Sequence, residues 1–167
     1  AINISFKTIE MTTFVSRIVD IIKTTQCPTE LIEIEITETA TAKNIGTLRD
    51  NITQLKSAGI NIAVDDFGTG YSSLSYLKRL PIDKLKIDKS FVDGLPHEDD
   101  DIAIAKAIIA LAKSLNLELV AEGIEVLNQC DFLIDNKCEQ GQGYLFSAPL
   151  PASDFELFAA NWKGIEK

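Results

Sequence analysis

The sequence predicts an α/β fold with parallel strands, on three observations. Short apolar runs rich in β-branched residues alternate with segments of helical period. No linker and no low-complexity stretch divides the 167 residues. Polar residues that interrupt the apolar runs gather near their C-terminal ends, the edge where parallel α/β folds place their chemistry.

The first run is Ala1–Ser5. A helical segment follows over Met11–Thr25, with Phe14, Ile18, Ile21 and Ile22 on one face, and Pro28 closes that region because its ring cannot continue a helix. Leu31–Thr37 is the second run. Ile45–Ala58 carries Leu48, Ile52 and Leu55 at helical spacing and ends at Gly59, a C-terminal cap. Ile60–Val64 is the third strand. A short helix over Ser73–Arg79 stops before Pro81, and Lys84–Ile87 is the fourth strand. Ile102–Leu115 is a strongly apolar helix capped by Asn116. Leu117–Ala121 is the fifth strand, Val126–Asn136 a helix, Gly141–Tyr144 a short sixth strand, and Asp154–Trp162 a last helix. Six βα-type units fit either an open doubly wound sheet or part of an eight-stranded barrel, which needs roughly 250 residues when complete.

Composition narrows the function. With 46% hydrophobic residues the chain can bury one real core. No apolar run approaches the ~20 residues that cross a bilayer. The first residues lack the regions of a signal peptide and already read as strand, so position 1 is expected to be a cut through a longer protein. A net charge of −9 with no basic stripe argues against a polymeric nucleic acid as partner. An acidic chain still acts on a phosphate ester when divalent cations lie between its carboxylates and the substrate. Cys27, Cys130 and Cys138 show no metal-ligand spacing and read as reduced packing residues of a cytoplasmic domain. His97, the single histidine, sits in the polar run Pro96–Asp101 and reads as solvated surface.

The positions of the acids carry the chemistry. Asn3 lies in the first run. Glu35 ends the second, with Glu38 just beyond. Asp65 and Asp66 end the third. Lys86 is near the end of the fourth, followed by Asp88. Glu122 ends the fifth, with Glu125 in the next turn, and Gln142 is in the sixth. Buried parallel strands should be almost uninterruptedly apolar, and a buried charge costs several kcal/mol unless it is paired or binds a metal. Glu35, Asp65, Asp66 and Glu122 therefore predict one site. Carboxylates so close repel each other, and their hard oxygens suit Mg²⁺ or Mn²⁺. The Asp65–Asp66 pair suits a bridge between two metals ~4 Å apart, a two-metal site for in-line phosphoryl displacement, and Lys86 adds positive charge for phosphate or water. The run Asp66–Ser73 has two glycines that permit close approach to a ligand, with Ser72 or Ser73 as a cap for the next helix.

Six segments now become specific: Asn3–Ser5, Glu35-Ile36-Thr37-Glu38, Asp65-Asp66-Phe67-Gly68-Thr69-Gly70-Tyr71-Ser72-Ser73-Leu74, Leu85-Lys86-Ile87-Asp88, Ala121-Glu122-Gly123-Ile124-Glu125 and Gln142-Gly143-Tyr144-Leu145-Phe146. In this order, over nearly the whole chain, they closely resemble the EAL-domain family of cyclic-di-GMP phosphodiesterases. The resemblance implies a modified TIM-type barrel, here with about six of eight βα units, so that residues 1–167 form an EAL domain lacking its N-terminal part. It implies that Asn3, Glu35 and Asp65 hold one metal and that Asp65, Asp66 and Glu122 hold the second. It makes Lys86 the lysine that orients water or phosphate, and Glu125 the residue that holds a metal-bound water. Glu38 becomes the anchor of the loop Asp66–Ser75, which in the family links metal binding to dimerisation. Gln142 and Asp88 fall on the substrate side. The implied reaction is hydrolysis of cyclic di-GMP to linear pGpG. The implied partners are a second copy of the chain and an upstream sensory or diguanylate-cyclase-like domain, and a missing upstream segment could anchor the parent protein to a membrane.

Two departures stand out. The Glu-Ala-Leu motif that names the family belongs before Asn3 and is absent, and its glutamate is a metal ligand, so the fragment alone is expected to turn over weakly or not at all. Ala148 stands where the family often has a basic residue. A binding module without hydrolysis is the main alternative. A Schiff-base enzyme built on Lys86 is another, but it leaves the carboxylates unexplained.

Overall fold

The computed structural model describes residues 1–38, 45–70 and 77–165. Among these, six strands form one parallel sheet in sequence order: β1 (Ile2–Asn3), β2 (Glu33–Thr37), β3 (Asn61–Phe67), β4 (Lys84–Ile87), β5 (Glu118–Ala121) and β6 (Gln140–Gly141). All five pairings are parallel, and β1 and β6 lie at the two edges. Sequential order with helical crossovers is the barrel-type arrangement, since a doubly wound sheet reverses its strand order part-way.

Alternation along the strands separates two faces. Ile34, Ile36, Ile62, Val64, Leu85, Ile87 and Ala121 are essentially inaccessible and join one apolar cluster. Helix Ile45–Ser57 supplies Leu48, Ile52 and Leu55 to that cluster, and helix Asp99–Ser114 supplies Ala105, Ile108, Ile109 and Ala112. Each large side chain buried there contributes on the order of 1.5–3 kcal/mol. The opposite face is charged. Glu33, Glu35, Asp65, Lys84, Lys86 and Glu118 alternate with the apolar set and are joined to one another by ion pairs.

The predicted ends hold where a cap sets them. Gly59 takes φ +86°, its N–H donates to the Lys56 carbonyl and that of Ile60 to Leu55, a left-handed cap. Asn116 is likewise left-handed, with the Leu117 N–H returning to Ala112. Elsewhere the boundaries move for local reasons. The helix expected from Ile102 begins at Asp99, because Asp99, Asp100 and Asp101 in its first turn oppose the positive end of the helix dipole. The last helix runs Ala152–Asn161 behind Pro151, two residues earlier than expected. The sixth strand is Gln140–Gly141, not Gly141–Tyr144, because the chain turns at Gly143, whose carbonyl accepts from Phe146 and Ser147. A four-residue helix, Phe6–Ile9, is too short to show a period and went unpredicted. The helix expected over Ser73–Arg79 falls largely outside the described residues.

Cys130 and Cys138 are buried as expected, and burial pushes the Cys138 thiol up to about 11. Cys27 is exposed, which corrects its reading as a packing residue. It follows the helix Phe14–Thr25, where the chain leaves through a left-handed Gln26. Trp162 packs on Phe146 and Phe158, with ring centroids 6.5 and 5.0 Å away. Among the described residues no helix is long and apolar enough to cross a membrane.

Candidate metal centre

Four strands deliver the site to the C-terminal edge of the sheet. Lys86 of β4 is the hub, with its side chain only 5% exposed. Its ammonium meets Glu35 of β2 at 2.8 Å, Asp65 of β3 at 3.0 Å, and Glu122, just after β5, in a still closer pair. Burial alone would lower the lysine pKa, but the hydrogen bonds to Glu122, Glu35 and Asp65 reverse this and hold it above its ordinary value. Lys86 is therefore a fixed cation.

The Asp65–Asp66 pair depends on a break in the strand. Successive residues of a regular strand face opposite ways. The register between β3 and β4 shifts between Val64 and Phe67, and Asp66 adopts φ +55°. This irregularity re-aims the strand, so that carboxylate oxygens of Asp65, Asp66 and Glu122 all lie within 4.8 Å of one another. Burial raises the Asp66 pKa, with the neighbouring charges of Asp65 and Asp88 adding to it and Lys86 opposing. Burial also raises that of Glu122, which Lys86 only partly offsets. The cluster holds more negative charge than one lysine satisfies. Its donors are all carboxylate oxygens, the set a hard divalent cation takes, so the residues present fit such an ion.

The flanking residues fix these ligands. Gln142 donates from Nε2 to Glu122 Oε1 at 2.7 Å. Glu38, 3% exposed, accepts from the backbone N–H groups of Gly68 at 2.8 Å and Gly70 at 3.2 Å, tying the start of the loop after the paired aspartates. The part of that loop beyond Gly70, with Ser72 and Ser73, lies outside the described residues. Asp88 caps the 3₁₀ turn Lys89–Phe91, accepting from the Ser90 N–H at 2.9 Å, and its charge acts on Asp66. Glu125 is exposed and pairs with Lys89 at 2.5 Å. Asn3 is exposed on the edge strand, in register with Glu35.

Three features escaped the sequence reading. Lys84, one residue pair below Lys86 on the same strand, binds Glu33 at 2.6 Å and reaches Glu118 at 3.7 Å, a second charged tier beneath the first. The alternations Glu33-Ile34-Glu35 and Lys84-Leu85-Lys86 show in the sequence that each strand has a charged face, though not which acid each lysine meets. Gln129 is buried and its Oε1 accepts from the backbone of Glu125 and Val126, holding the turn after Glu122. Beside the cluster lies a cavity of about 700 Å³, lined by Glu122, Gln142, Lys89, Tyr144, Phe146 and Phe158 among others. Its aromatic wall, Tyr144, Phe146, Phe155 and Phe158, comes from the last segments of the chain, while Lys89 and Glu122 come from turns well before them.

The family model described as "EAL domain" matches residues 1–149. The chain belongs to the EAL domain family. Among curated relatives of this EAL domain is the cyclic di-GMP phosphodiesterase NbdA of Pseudomonas aeruginosa, 50% identical over 127 residues, which are 76% of this chain and 16% of that protein. The chain thus spans under a fifth of that relative's length. Among solved structures, the EAL domain of Mycobacterium smegmatis DcpA aligns with a TM-score of 0.89 at 41% identity, covering 95% of this chain and 71% of that one. BlrP1 of Klebsiella pneumoniae, solved as calcium and manganese complexes with cy-diGMP, aligns at 0.81 and 30% identity, over 88% of this chain and 38% of that one. The EAL fold of these neighbours agrees with the sequential parallel sheet described above.

Proposed function

We propose that this EAL domain hydrolyses cyclic di-GMP to linear pGpG, with a divalent cation as cofactor, Mg²⁺ or Mn²⁺. The observation that carries this is the convergence of Glu35, Asp65 and Glu122 on Lys86, with Asp66 drawn into the same cluster by the irregularity in β3. The calcium and manganese cy-diGMP complexes of BlrP1 and the phosphodiesterase name of NbdA support it.

In this reading Asp65, Asp66 and Glu122 hold the cation, and Glu35 and Asn3 extend the ligand set towards the edge strand. A cation held there supplies Lewis acidity and a nucleophile at neutral pH. The residues of the chain do the rest. Lys86 spreads the carboxylates at fixed distances and presents positive charge to the phosphate as charge builds up in the transition state. Gln142 fixes the orientation of Glu122, and Glu38 holds the loop that begins at Asp66. A lysine kept protonated by three carboxylates is a poor amine nucleophile, which argues against a Schiff-base enzyme. We further propose that the domain works as a homodimer, which light scattering on the full-length protein decides, within a longer cytoplasmic chain, which cell fractionation decides.

The test is chromatographic detection of pGpG from cyclic di-GMP with Mg²⁺ or Mn²⁺, comparing full-length protein with its Asp65→Asn variant. Turnover should fall more than about a hundredfold, beyond the 10–100-fold typical of losing a ligand's supporting partner. Retained turnover in the variant would rule out Asp65 as a ligand. Binding of cyclic di-GMP without any hydrolysis by the unmodified protein would favour the binding module instead.

A further inference from the structure

The cavity beside the cluster has an acidic end and an aromatic end. Its volume, about 700 Å³, is in the range that encloses a small ligand. Glu122 and Glu125 line the acidic end, and among the described residues Lys89 is the one cation on its wall. Lys86 already serves three carboxylates and, in the proposed reaction, the phosphate that is cut, so it is not at hand for the other phosphate.

Lys89 is placed by its stem. Gly123 takes φ +68°, and a Cβ there would stand 2.3 Å from Lys89 Cγ and 2.7 Å from its Cβ, so the methylenes of the lysine lie directly on the glycine backbone. This contact locks the turn after β4 to the turn after β5, where Glu122 sits. The ammonium beyond the stem is half-exposed, 2.5 Å from Glu125 and 3.9 Å from Asp93. Exposed pairs of this kind contribute little, so the ammonium can exchange Glu125 for a better anion at small cost.

A cyclic dinucleotide carries two phosphodiesters, each with one negative charge. In the proposed reaction the carboxylate cluster, with the cation it would hold, takes the one that is cut. The other enters a chain of net charge −9 and gains from a counter-charge on the cavity wall. Resting on the phosphodiesterase reading, we propose that Lys89 is a substrate-binding residue that contacts the phosphate not being cleaved.

The experiment measures kcat and KM for cyclic di-GMP on the full-length protein, its Lys89→Gln variant, which keeps most of the stem over Gly123 and loses the charge, and Lys89→Arg. A parallel arm measures affinity for a fluorescent cyclic di-GMP with Ca²⁺. Lys89→Gln should raise KM and weaken binding about tenfold while kcat changes less than threefold, and Lys89→Arg should restore most of both. The proposal is overturned if KM and affinity stay within twofold of the unmodified protein. It is equally overturned if kcat alone falls, because the lysine then serves only to hold Glu125, or if Lys89→Arg is as damaged as Lys89→Gln. Absence of hydrolysis by the unmodified protein counts against the phosphodiesterase reading and not against this one, which the binding arm still decides.

Discussion

Replacing Lys86 by methionine tests the electrostatics of the centre most directly. Methionine keeps a similar length and apolar body but removes the ammonium. Glu35, Asp65 and Glu122 would then face one another around a site where Lys86 is only 5% exposed and its partners 8–15% exposed. Removing one member of a buried pair leaves an uncompensated charge, at a cost of about 3–5 kcal/mol. Here one cation serves three carboxylates, which puts the expected loss at the upper end of that range. For a domain of this size each kcal/mol moves Tm by roughly 2–4 °C, so a loss of about 5 kcal/mol should make Lys86→Met melt roughly 10–20 °C below the unmodified protein in EDTA at pH 7.

Two controls give the prediction its shape. Lowering the pH towards 4.5 should narrow the gap, since Glu122, whose pKa burial raises, takes up a proton and the repulsion falls. Saturating Mg²⁺ or Mn²⁺ should also narrow it, because a bound cation replaces the missing positive charge and binding to the folded state alone stabilises by about 2.7 kcal/mol at a hundred times Kd. Melting is followed by circular dichroism at 222 nm. A Lys86→Met protein that melts within 2 °C of the unmodified one in EDTA at pH 7 would mean that the three carboxylates do not share this lysine in solution.

Four further outcomes are expected. The metal-dependent rise in Tm should grow with pH between about 4 and 7: Asp66 and Glu122 have raised pKa values in the folded state, so the stability they contribute when protonated is lost as pH rises through those values and returns only with a cation; a rise independent of pH would contradict this. Glu38→Ala should speed hydrogen exchange at the Gly68 and Gly70 amides by about tenfold or more, since each loses a hydrogen bond to a charged acceptor; unchanged exchange refutes the anchor. Gly143→Ala should cost more than about 2 kcal/mol in urea denaturation, because its Cβ would lie 2.1 Å from the Ile124 carbonyl oxygen, whereas Gly46→Ala, in a helix with nothing within 4 Å, should be neutral or stabilising by up to about 1 kcal/mol; equal effects refute the distinction. A maleimide should label Cys27 alone in the folded protein, and Cys130 and Cys138 only after unfolding, as mass spectrometry would show.

How much of this was legible in the sequence depends on the range of the forces involved. The strands and the two capped helix ends were legible because residues such as Ile34, Ile36, Gly59 and Asn116 act on their own neighbourhood. The convergence of Glu35, Asp65 and Glu122 was legible because parallel strands ending at one edge leave their terminal polar residues no other place to go. The Asp65–Asp66 pair was read from its place at the end of the third strand, but the break that turns both carboxylates to one site was not, since a register shift against β4 is a property of two strands and neither sequence alone carries it. The partners of Lys86 and Lys84 were hidden for the same reason: which lysine meets which acid is set by inter-strand register, a quantity no local pattern encodes.

The two lysine tiers explain why a charged sheet face is stable here at all. A barrel interior is ordinarily filled by branched apolar side chains in layers. In this chain Lys84 with Glu33 and Glu118 forms one layer, and Lys86 with Glu35, Asp65 and Glu122 the next. The lower tier has one lysine against two acids, with Glu118 60% exposed and free to share its charge with water. The upper tier has one lysine against three nearly buried acids and Asp66 close by. The excess of negative charge therefore rises towards the C-terminal edge, where solvent and ligands enter. The lower tier acts as a charged floor that Lys84 largely neutralises, and the upper tier is left needing a cation. Replacing Lys84 should therefore disturb stability with little effect on metal affinity, while replacing Asp65 should do the reverse. A titration with Mn²⁺ on Lys84→Met and Asp65→Asn separates the two, and equal losses of metal affinity in both variants would show that the tiers are not independent.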